Sequence, residues 1–394
     1  MSTRTPLAIS ILSIMILSIM SPVYAAGQQP LPVHTFVCNG DEGQGGCPNG
    51  GVPTSIIQGS DGNFYGTASE TLQQPEQAGG LVFSLTPSGT FTMLYTFELG
   101  QGNNFPNGQD PVQLVEGSDG MLYGETDLGG AYNAGTVFRL NRDGSGFQVI
   151  HSFCPSCGDA YDPLGMAADA SGVYGATFYA RISKCECGSI FRVDTATGAY
   201  KILRVTRSAP SNPVAGPNGT LYWTVLGDLF LYNETTKKMQ SINLKLPKVD
   251  HFPGTAASVV FGANGNLYGI YGVLEQGSGL FEIQPDGSNL VLFPAIPNLF
   301  SGTTNGLVLG GDGNLWMEQS GAQAGYGQIL TFSPTNGSLI QNLTPFSQTS
   351  SVGGYPDDLI STQGGTLWGL TMNYGQAPQG SFGEGVVFSL TPQN

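Results

Sequence analysis

Several carboxylates near the predicted long loops could carry out acid–base chemistry. Cleavage of a glycosidic bond uses two carboxyl groups, one acting as the acid and the other as the base or nucleophile. Asp127 and Glu384 lie in different segments that could converge at one site. The other candidates for such a pair are Glu275, Asp357 and Asp358. A polysaccharide-directed hydrolase or lyase is therefore the enzymatic alternative.

Other catalytic signals are missing from the sequence. No serine lies in a Gly-x-Ser-x-Gly elbow, and there is no His-x-x-Glu-type metal pair. His34 and His151 occupy the same repeat position as Tyr95, which predicts a packing role, and only His251 falls outside the repeat. These features favour a non-enzymatic protein, and we expect neither a cofactor nor a metal.

The long loops also carry aromatic side chains beside amides and charges. Sugar rings bind to an apolar platform surrounded by hydrogen-bonding groups, which such residues can provide. The candidate ligand-binding residues are Tyr132, Asn133, Tyr179, Arg181, Tyr326, Asn373 and Tyr374, and the same loops hold Lys184 and Tyr271. They predict a glycan or protein ligand. In the alternative, these tyrosines pack under glycine-rich loops and bind nothing.

Six cysteines predict three disulfides in an exported chain. Cys38 and Cys47 follow one strand, and Cys154 and Cys157 lie in the equivalent loop of a later repeat. Cys185 and Cys187 lie in a loop expected on the same face, so we favour two cross-loop bridges among the last four. Three pairings remain open. A four-cysteine zinc site is the other interpretation, since Cys-x-x-Cys has a ligand-like spacing.

Seven copies of one repeat must position these residues. Each copy has an Asp-Gly-like turn and then an aromatic residue, at spacings of 58, 51, 48, 46, 48 and 52 residues. Such a turn between two strand-like runs is a favoured hairpin, and its aspartate normally caps its own backbone. The aromatic residues are Tyr65, Tyr123, Tyr174, Tyr222, Tyr268, Trp316 and Trp368.

Two further strand-like runs follow each hairpin, which makes four strands per copy. That pattern predicts an all-β fold, a seven-bladed β-propeller of four-stranded antiparallel blades. The seventh copy ends after its third strand, while 33–36 near the N-terminus resembles the fourth strand. We therefore expect the N-terminal strand to close the last blade. Six blades with one degenerate copy is the alternative.

The N-terminus predicts export. Residues 7–20 form an apolar run behind Arg4, too short to span a bilayer, and a small-x-small pattern ends at Ala25. We expect a signal peptide at 1–25, one propeller domain at 26–394, and a secreted or periplasmic monomer free of the membrane after cleavage. An uncleaved signal anchor is the alternative.

The charge of the chain is acidic but uneven. The formal net charge is −15, and removing the signal, with its single Arg4, leaves 12 − 28 = −16. This balance disfavours nucleic acid as a partner. Residues 181–248 hold ten Lys and Arg against four acids, a net of +6, so the rest carries −22. Solvated outer-strand lysines or a surface for an anionic partner would both explain this sector.

The repeat resembles the bacterial choice-of-anchor "GloVer" (Gloeo/Verruco) tandem repeat. The resemblance rests on the hairpin at 60–67 with the strand at 79–85, and again on 118–126 with 135–140. It extends over 33–394, with its most specific copies in blades 1, 2 and 7. It implies a propeller. Because that family is defined by its repeat, the resemblance implies no particular activity.

Overall fold

The computed structural model describes residues 29–39, 47–70, 78–101, 104–180, 187–249, 252–273, 277–296, 306–321, 325–377 and 381–393. Strand β1 (Leu31–Asn39) precedes seven groups of strands. Blade 1 holds β2 (Gly51–Gln58), β3 (Phe64–Glu70), β4 (Ala78–Leu85) and β5 (Phe91–Glu98). Blade 2 holds β6 (Gln109–Glu116), β7 (Leu122–Leu128), β8 (Thr136–Leu140) and β9 (Gln148–Ser152). Blade 3 holds β10 (Ala160–Asp169), β11 (Gly172–Ala180), β12 (Cys187–Val193) and β13 (Tyr200–Val205).

The remaining blades are shorter in places. Blade 4 holds β14 (Val214–Gly216), β15 (Thr220–Val225), β16 (Asp228–Asn233) and β17 (Lys238–Asn243), and β18 (Lys248–Val249) pairs with β19 (Phe252–Pro253) after it. Blade 5 holds β20 (Thr255–Phe261), β21 (Leu267–Val273), β22 (Gly277–Ile283) and β23 (Val291–Leu292). Blade 6 holds β24 (Val308–Leu309), β25 (Leu315–Gln319), β26 (Gln328–Phe332) and β27 (Leu339–Leu343). Blade 7 holds β28 (Gly354–Ser361), β29 (Leu367–Asn373) and β30 (Ser381–Leu390).

Each blade is a four-stranded antiparallel sheet, with strands a to d in chain order. Strand β1 pairs with β30 as strand d of blade 7, from Leu31 opposite Ser389 to Asn39 opposite Ser381. Strands a of neighbouring blades contact each other all round the ring, including β2 with β28. The predicted seven-bladed propeller and its N-terminal closing strand are confirmed. We call the face with the b–c and d–a loops the upper face.

The hydrophobic core is divided among the blade interfaces. Seven buried clusters are present, and each combines residues of two neighbouring blades. The cluster between blades 7 and 1, for example, includes Phe36, Phe64, Phe83 and Leu370. Because each blade buries its faces against its neighbours, closing the ring adds one more stabilising interface, between blades 7 and 1. Within the described ranges, helix is confined to short 3-10 turns, and none is long and apolar enough to cross a membrane.

The hairpin turns are held by their own side chains. The Asn63 N–H donates to Asp61 Oδ1 at 3.1 Å, and the Tyr65 hydroxyl donates to Asp61 Oδ2 at 2.8 Å. The same two bonds recur at Asp119, and at Asp312 the indole of Trp316 replaces the tyrosine. The repeated Asp-Gly and aromatic residues therefore have a structural role, as the sequence predicted.

In five of the seven blades, a glycine after the strand-b aromatic lets a strand-c phenylalanine lie flat across the sheet. Gly66 is opposite Phe83, and a Cβ on this glycine would overlap the phenylalanine ring. The same pair recurs as Gly124 with Phe138, Gly175 with Phe191, Gly269 with Phe281, and Gly369 with Phe388. All five rings are fully buried. The Tyr-Gly dipeptide of the repeat is thus explained by close packing.

Both described histidines pack between outer strands. His34 of β1 stacks on Phe91 with ring centroids 4.3 Å apart, and burial lowers its pKa to about 4. His151 stacks on Tyr200 at 3.7 Å, and its Nε2 lies 2.6 Å from Asp159 Oδ2. Tyr95, in the same repeat position, stacks on Phe147 at 3.7 Å. These contacts join strands d of blades 7, 1, 2 and 3 in succession.

Replacing the covered glycine should destabilise the ring. Gly269→Ala should lower the free energy of unfolding by about 1–3 kcal/mol, because its methyl group has no space beneath Phe281. Gly272→Ala in the same strand is the matched control, since its Cβ would lie 3.5 Å from the nearest atom, Ser278 Oγ. Urea unfolding of both variants measures the difference. Equal losses would contradict the packing explanation.

Candidate functional site

Two disulfides close loops on the upper face. Cys38 is bonded to Cys47, and Cys154 is bonded to Cys157. The cross-loop bridges favoured from sequence are therefore wrong. The 3-10 turn Pro155–Cys157 brings the Cα atoms of Cys154 and Cys157 within 5.2 Å, inside the range that a disulfide requires. Cys187 is also disulfide-bonded, while Cys185 lies outside the described residues.

The disulfides leave no thiolate for the alternative zinc site at Cys154 and Cys157. Among the described residues, no group of three or more His, Cys, Asp or Glu has a metal-binding arrangement. Disulfides persist in oxidising compartments, so these bonds fit an extracellular or periplasmic location.

Four residues at the upper end of the innermost strands have a left-handed backbone. They are Val52, Asp110, Asp162 and Tyr355, with φ values of 50°, 56°, 62° and 61°. Each precedes a proline, and they belong to the successive blades 1, 2, 3 and 7. Such a backbone costs energy for residues other than glycine and concentrates at functional sites. We call these four residues the upper mouth.

An aromatic cluster surrounds the blade-7 end of the upper mouth. The rings of Tyr355 and Tyr326 lie 5.8 Å apart, those of Tyr326 and Tyr374 also 5.8 Å, and those of Tyr355 and Tyr374 6.2 Å. Gln348 Nε2 donates to the Tyr374 hydroxyl at 3.3 Å. All three tyrosines are half-buried, so they pack on one another and still offer a surface.

A second aromatic cluster lies at the blade-3 end. Tyr161 and Tyr179 stack with centroids 5.0 Å apart, and Phe178 contacts Tyr179 edge-on at 4.7 Å. Phe178 is 42% exposed although its neighbours are partly covered. Because Tyr161 immediately precedes Asp162, this cluster adjoins the upper mouth. The sequence identified Tyr179 but missed Phe178 and Tyr161.

A pair of carboxylates adjoins the second cluster. Burial raises the pKa of Asp127, and it also raises the pKa of Asp162, to which the charge of Asp127 contributes. Asp127 therefore has Asp162 as its carboxyl neighbour, a residue that sequence reasoning missed. Glu384 lies beside the start of β2, where a Cβ on Gly51 would be 3.1 Å from the Glu384 Cβ. The sequence did contain a signal for Asp162, because the dipeptide Asp-Pro occurs at the same position in blades 2 and 3.

Asp358 joins two innermost strands. Its Oδ2 accepts a hydrogen bond from the Ile56 N–H at 2.9 Å, across the junction between blades 7 and 1. Ser55 and Gln113 make equivalent bonds to the next blades, at Leu114 N and Met166 N. Burial raises the pKa of Asp358 to about 7, and the charge of Asp357 adds to this. Asp358 thus has a structural role in the ring.

The other predicted residues are dispersed. Tyr132 is 55% exposed, and Asn133 Oδ1 accepts from the Gly129 N–H at 3.3 Å within the same loop. Asn373 ends β29 beside Tyr374. Tyr271 was predicted to lie in a long loop, and this is wrong. It lies in β21, is buried, and donates to the Phe293 carbonyl at 2.6 Å. Four further residues lie outside the described ranges: Arg181, Lys184, His251 and Glu275.

Glu125 is a buried carboxyl without a hydrogen-bond partner in the described structure. It points across the interface between blades 2 and 3, since a Cβ on Gly175 would be 2.7 Å from its Oε1. Burial raises its pKa well above the ordinary value. Burial therefore favours the neutral form of the carboxyl, which costs less to bury than the charged form.

The ring of four-stranded blades, with disulfide-closed loops and a polar and aromatic upper mouth, defines a seven-bladed β-propeller. The family model of the Gloeobacter/Verrucomicrobia repeat matches residues 52–243 of the chain. The predicted resemblance is thereby confirmed. No curated protein matches the sequence.

Solved structures share the fold at low identity. The extracellular domain assigned to a hybrid two-component system of B. thetaiotaomicron aligns with a TM-score of 0.56 and 12% identity. That alignment covers 92% of this chain, which spans only 40% of the other. An oligogalacturonate lyase from Vibrio parahaemolyticus aligns with a TM-score of 0.54 and 11% identity, covering 92% and 93% of the two chains. These likenesses show the propeller fold alone.

The pH dependence of the free energy of unfolding should show that the buried Glu125 is protonated in the folded protein. Because its pKa is higher in the folded state, the stability linked to its proton is fully present below the ordinary value of 4.5 and is lost as pH rises. Glu125→Gln should therefore gain stability relative to the natural chain between pH 4.5 and 8. Urea unfolding at both pH values gives the difference. A difference independent of pH would contradict a buried, protonated Glu125.

Proposed function

We propose that this chain is an exported, non-enzymatic binding protein that holds a glycan at the upper mouth. Export would follow cleavage after Ala25. The observation that carries the proposal is the strained half-ring of blades 7, 1, 2 and 3, which has an aromatic cluster at each end. Strained residues persist only where the surrounding structure holds them, and they concentrate at binding sites.

The chemistry of the upper mouth suits a sugar chain. Tyr355 and Phe178 present ring surface on which the apolar faces of sugar rings can pack. Asp110 and Asp162 supply carboxyl oxygens near the centre of the ring, and these can accept hydrogen bonds from sugar hydroxyls. Asp110, Asp162 and Tyr355 lie on innermost strands and Phe178 lies on β11, so a ligand would meet a preformed surface and lose little affinity to the ordering of loops.

Removing a ring from either cluster should weaken glycan binding. Tyr355→Ala and Phe178→Ala should each reduce affinity about tenfold, because each removes a stacking surface worth about 1 kcal/mol or more. Binding of the oxidised mature chain to immobilised chitin, cellulose, xylan and neutral galactan would be measured by depletion.

The matched control is Met93→Ala, which removes an exposed apolar side chain from outer strand β5. It should bind like the natural chain. Absence of binding to all four polysaccharides, or equal weakening in the control, would remove the proposal. If Tyr132→Ala alone abolished binding, the ligand would be held by the loop and not by the upper mouth.

Cleavage of the bound glycan is the second candidate function. It is favoured by Asp127 and Asp162, because a carboxyl with a raised pKa can serve as a general acid beside an ionised partner. The predicted partner Glu384 would be replaced by Asp162 in this scheme.

If the protein cleaves the bound glycan, Asp127→Asn and Asp162→Asn should each lower turnover by about 100-fold or more. Asp143→Asn, in an exposed turn of blade 2, is the control and should leave turnover unchanged. Release of reducing ends from the bound polysaccharide measures the reaction. If the natural chain binds without releasing any, the non-enzymatic function stands.

A further inference from the structure

Residues 181–248 carry the excess of cations, and the acids that the structure describes in this segment are already paired. Asp194 contacts Arg192 at 3.2 Å, and Glu234 contacts both Arg192 and Lys237. Asp228 uses both oxygens, accepting from Arg207 and from Asn243, each at 2.7 Å. These acids therefore do not neutralise the remaining cations of blades 3 and 4.

Four cations gather on the upper, outer edge between these blades. Arg207 and Asn243 both donate to Asp228, and these bonds join the loop after β13 to the end of β17. The Lys245 N–H in turn donates to Asn243 Oδ1 at 3.0 Å. Arg204 precedes this junction and Lys248 follows it. We call Arg204, Arg207, Lys245 and Lys248 the basic rim. All four are exposed, and no carboxylate partner for Arg204, Lys245 or Lys248 occurs in the described ranges.

We propose that the basic rim binds an acidic polysaccharide through carboxylate or sulfate groups. Opposite charges attract at an exposed surface, and an excess of cations within a chain of net charge −15 marks where an anion would be held. Exposed Gln240 and Ser241 on β17 add neutral partners for sugar hydroxyls. This surface lies on the outside of the ring, away from the upper mouth.

The composition of the surface argues for a polysaccharide over other polyanions or a protein. Protein interfaces have an apolar centre, whereas Leu226 is the only exposed large hydrophobic residue described between 187 and 249. Duplex DNA carries about one charge per 1.7 Å, and the −22 on the other blades would repel so dense a polymer. Arg207 is already paired with Asp228, and the three remaining cations, Arg204, Lys245 and Lys248, match the sparser charges of an acidic glycan.

Two charge reversals with the same net effect test the proposal. Arg204→Glu/Lys245→Glu alters the basic rim, and Lys201→Glu/Lys238→Glu alters the lower ends of the same two strands. Dissociation constants of the oxidised mature chain would be measured by biolayer interferometry for chondroitin sulfate and polygalacturonate, with dextran as the neutral probe and single-stranded DNA as the alternative polyanion. Unfolding midpoints confirm that each variant folds.

The rim variant should weaken binding to chondroitin sulfate and polygalacturonate about tenfold or more, with a shallower salt dependence, because fewer counterions are released. The lower variant should change little, and dextran should not bind. If the double rim variant does not fold, Lys248→Glu serves in its place. Four results would overturn the proposal: no binding at low salt, equal weakening in both variants, tighter binding to DNA, or a salt-sensitive dimer lost in the rim variant.

Discussion

The contact between the strand-b glycine and the strand-c phenylalanine sets how the blades pack. Because Gly66 has no side chain, Phe83 lies across it and fills the interface with blade 7, while Tyr65 faces blade 2 from the opposite side. Each blade thus presents one aromatic ring to each neighbour. Repeated round the ring, this arrangement divides the core into seven interface clusters, and no blade is stable alone.

The blades that depart from this arrangement are those that are shorter and more weakly repeated. In blade 4 Trp223 replaces the glycine and stacks on Phe230, and in blade 6 Met317 faces Leu330. The regular half, from blade 7 to blade 3, also has the outer aromatic stacks and the left-handed residues before proline. A rigid half-ring of this kind can maintain strained residues at its centre, which a loosely packed blade could not.

Much of this architecture could be predicted from sequence because it is local. The turn at Asp61 involves side chains at most four residues apart, so the repeat reports it directly. The closing strand was recognisable because the segment around Phe36 has the same pattern as other strands d. The disulfide between Cys154 and Cys157 was missed although it is equally local, since its pairing depends on a 3-10 turn that the sequence pattern did not show.

The sequence by itself determined the number of blades, their turns and their closure, because these depend on strand patterns that recur in every repeat. Only the tertiary structure decided which side chains meet at the upper mouth and at the basic rim. Asp127 and Asp162, or Tyr326 and Tyr355, come from different blades, and their approach depends on blade twist and strand bulges. Such convergence has no signature along the chain, since it involves residues that no common turn or strand pair connects.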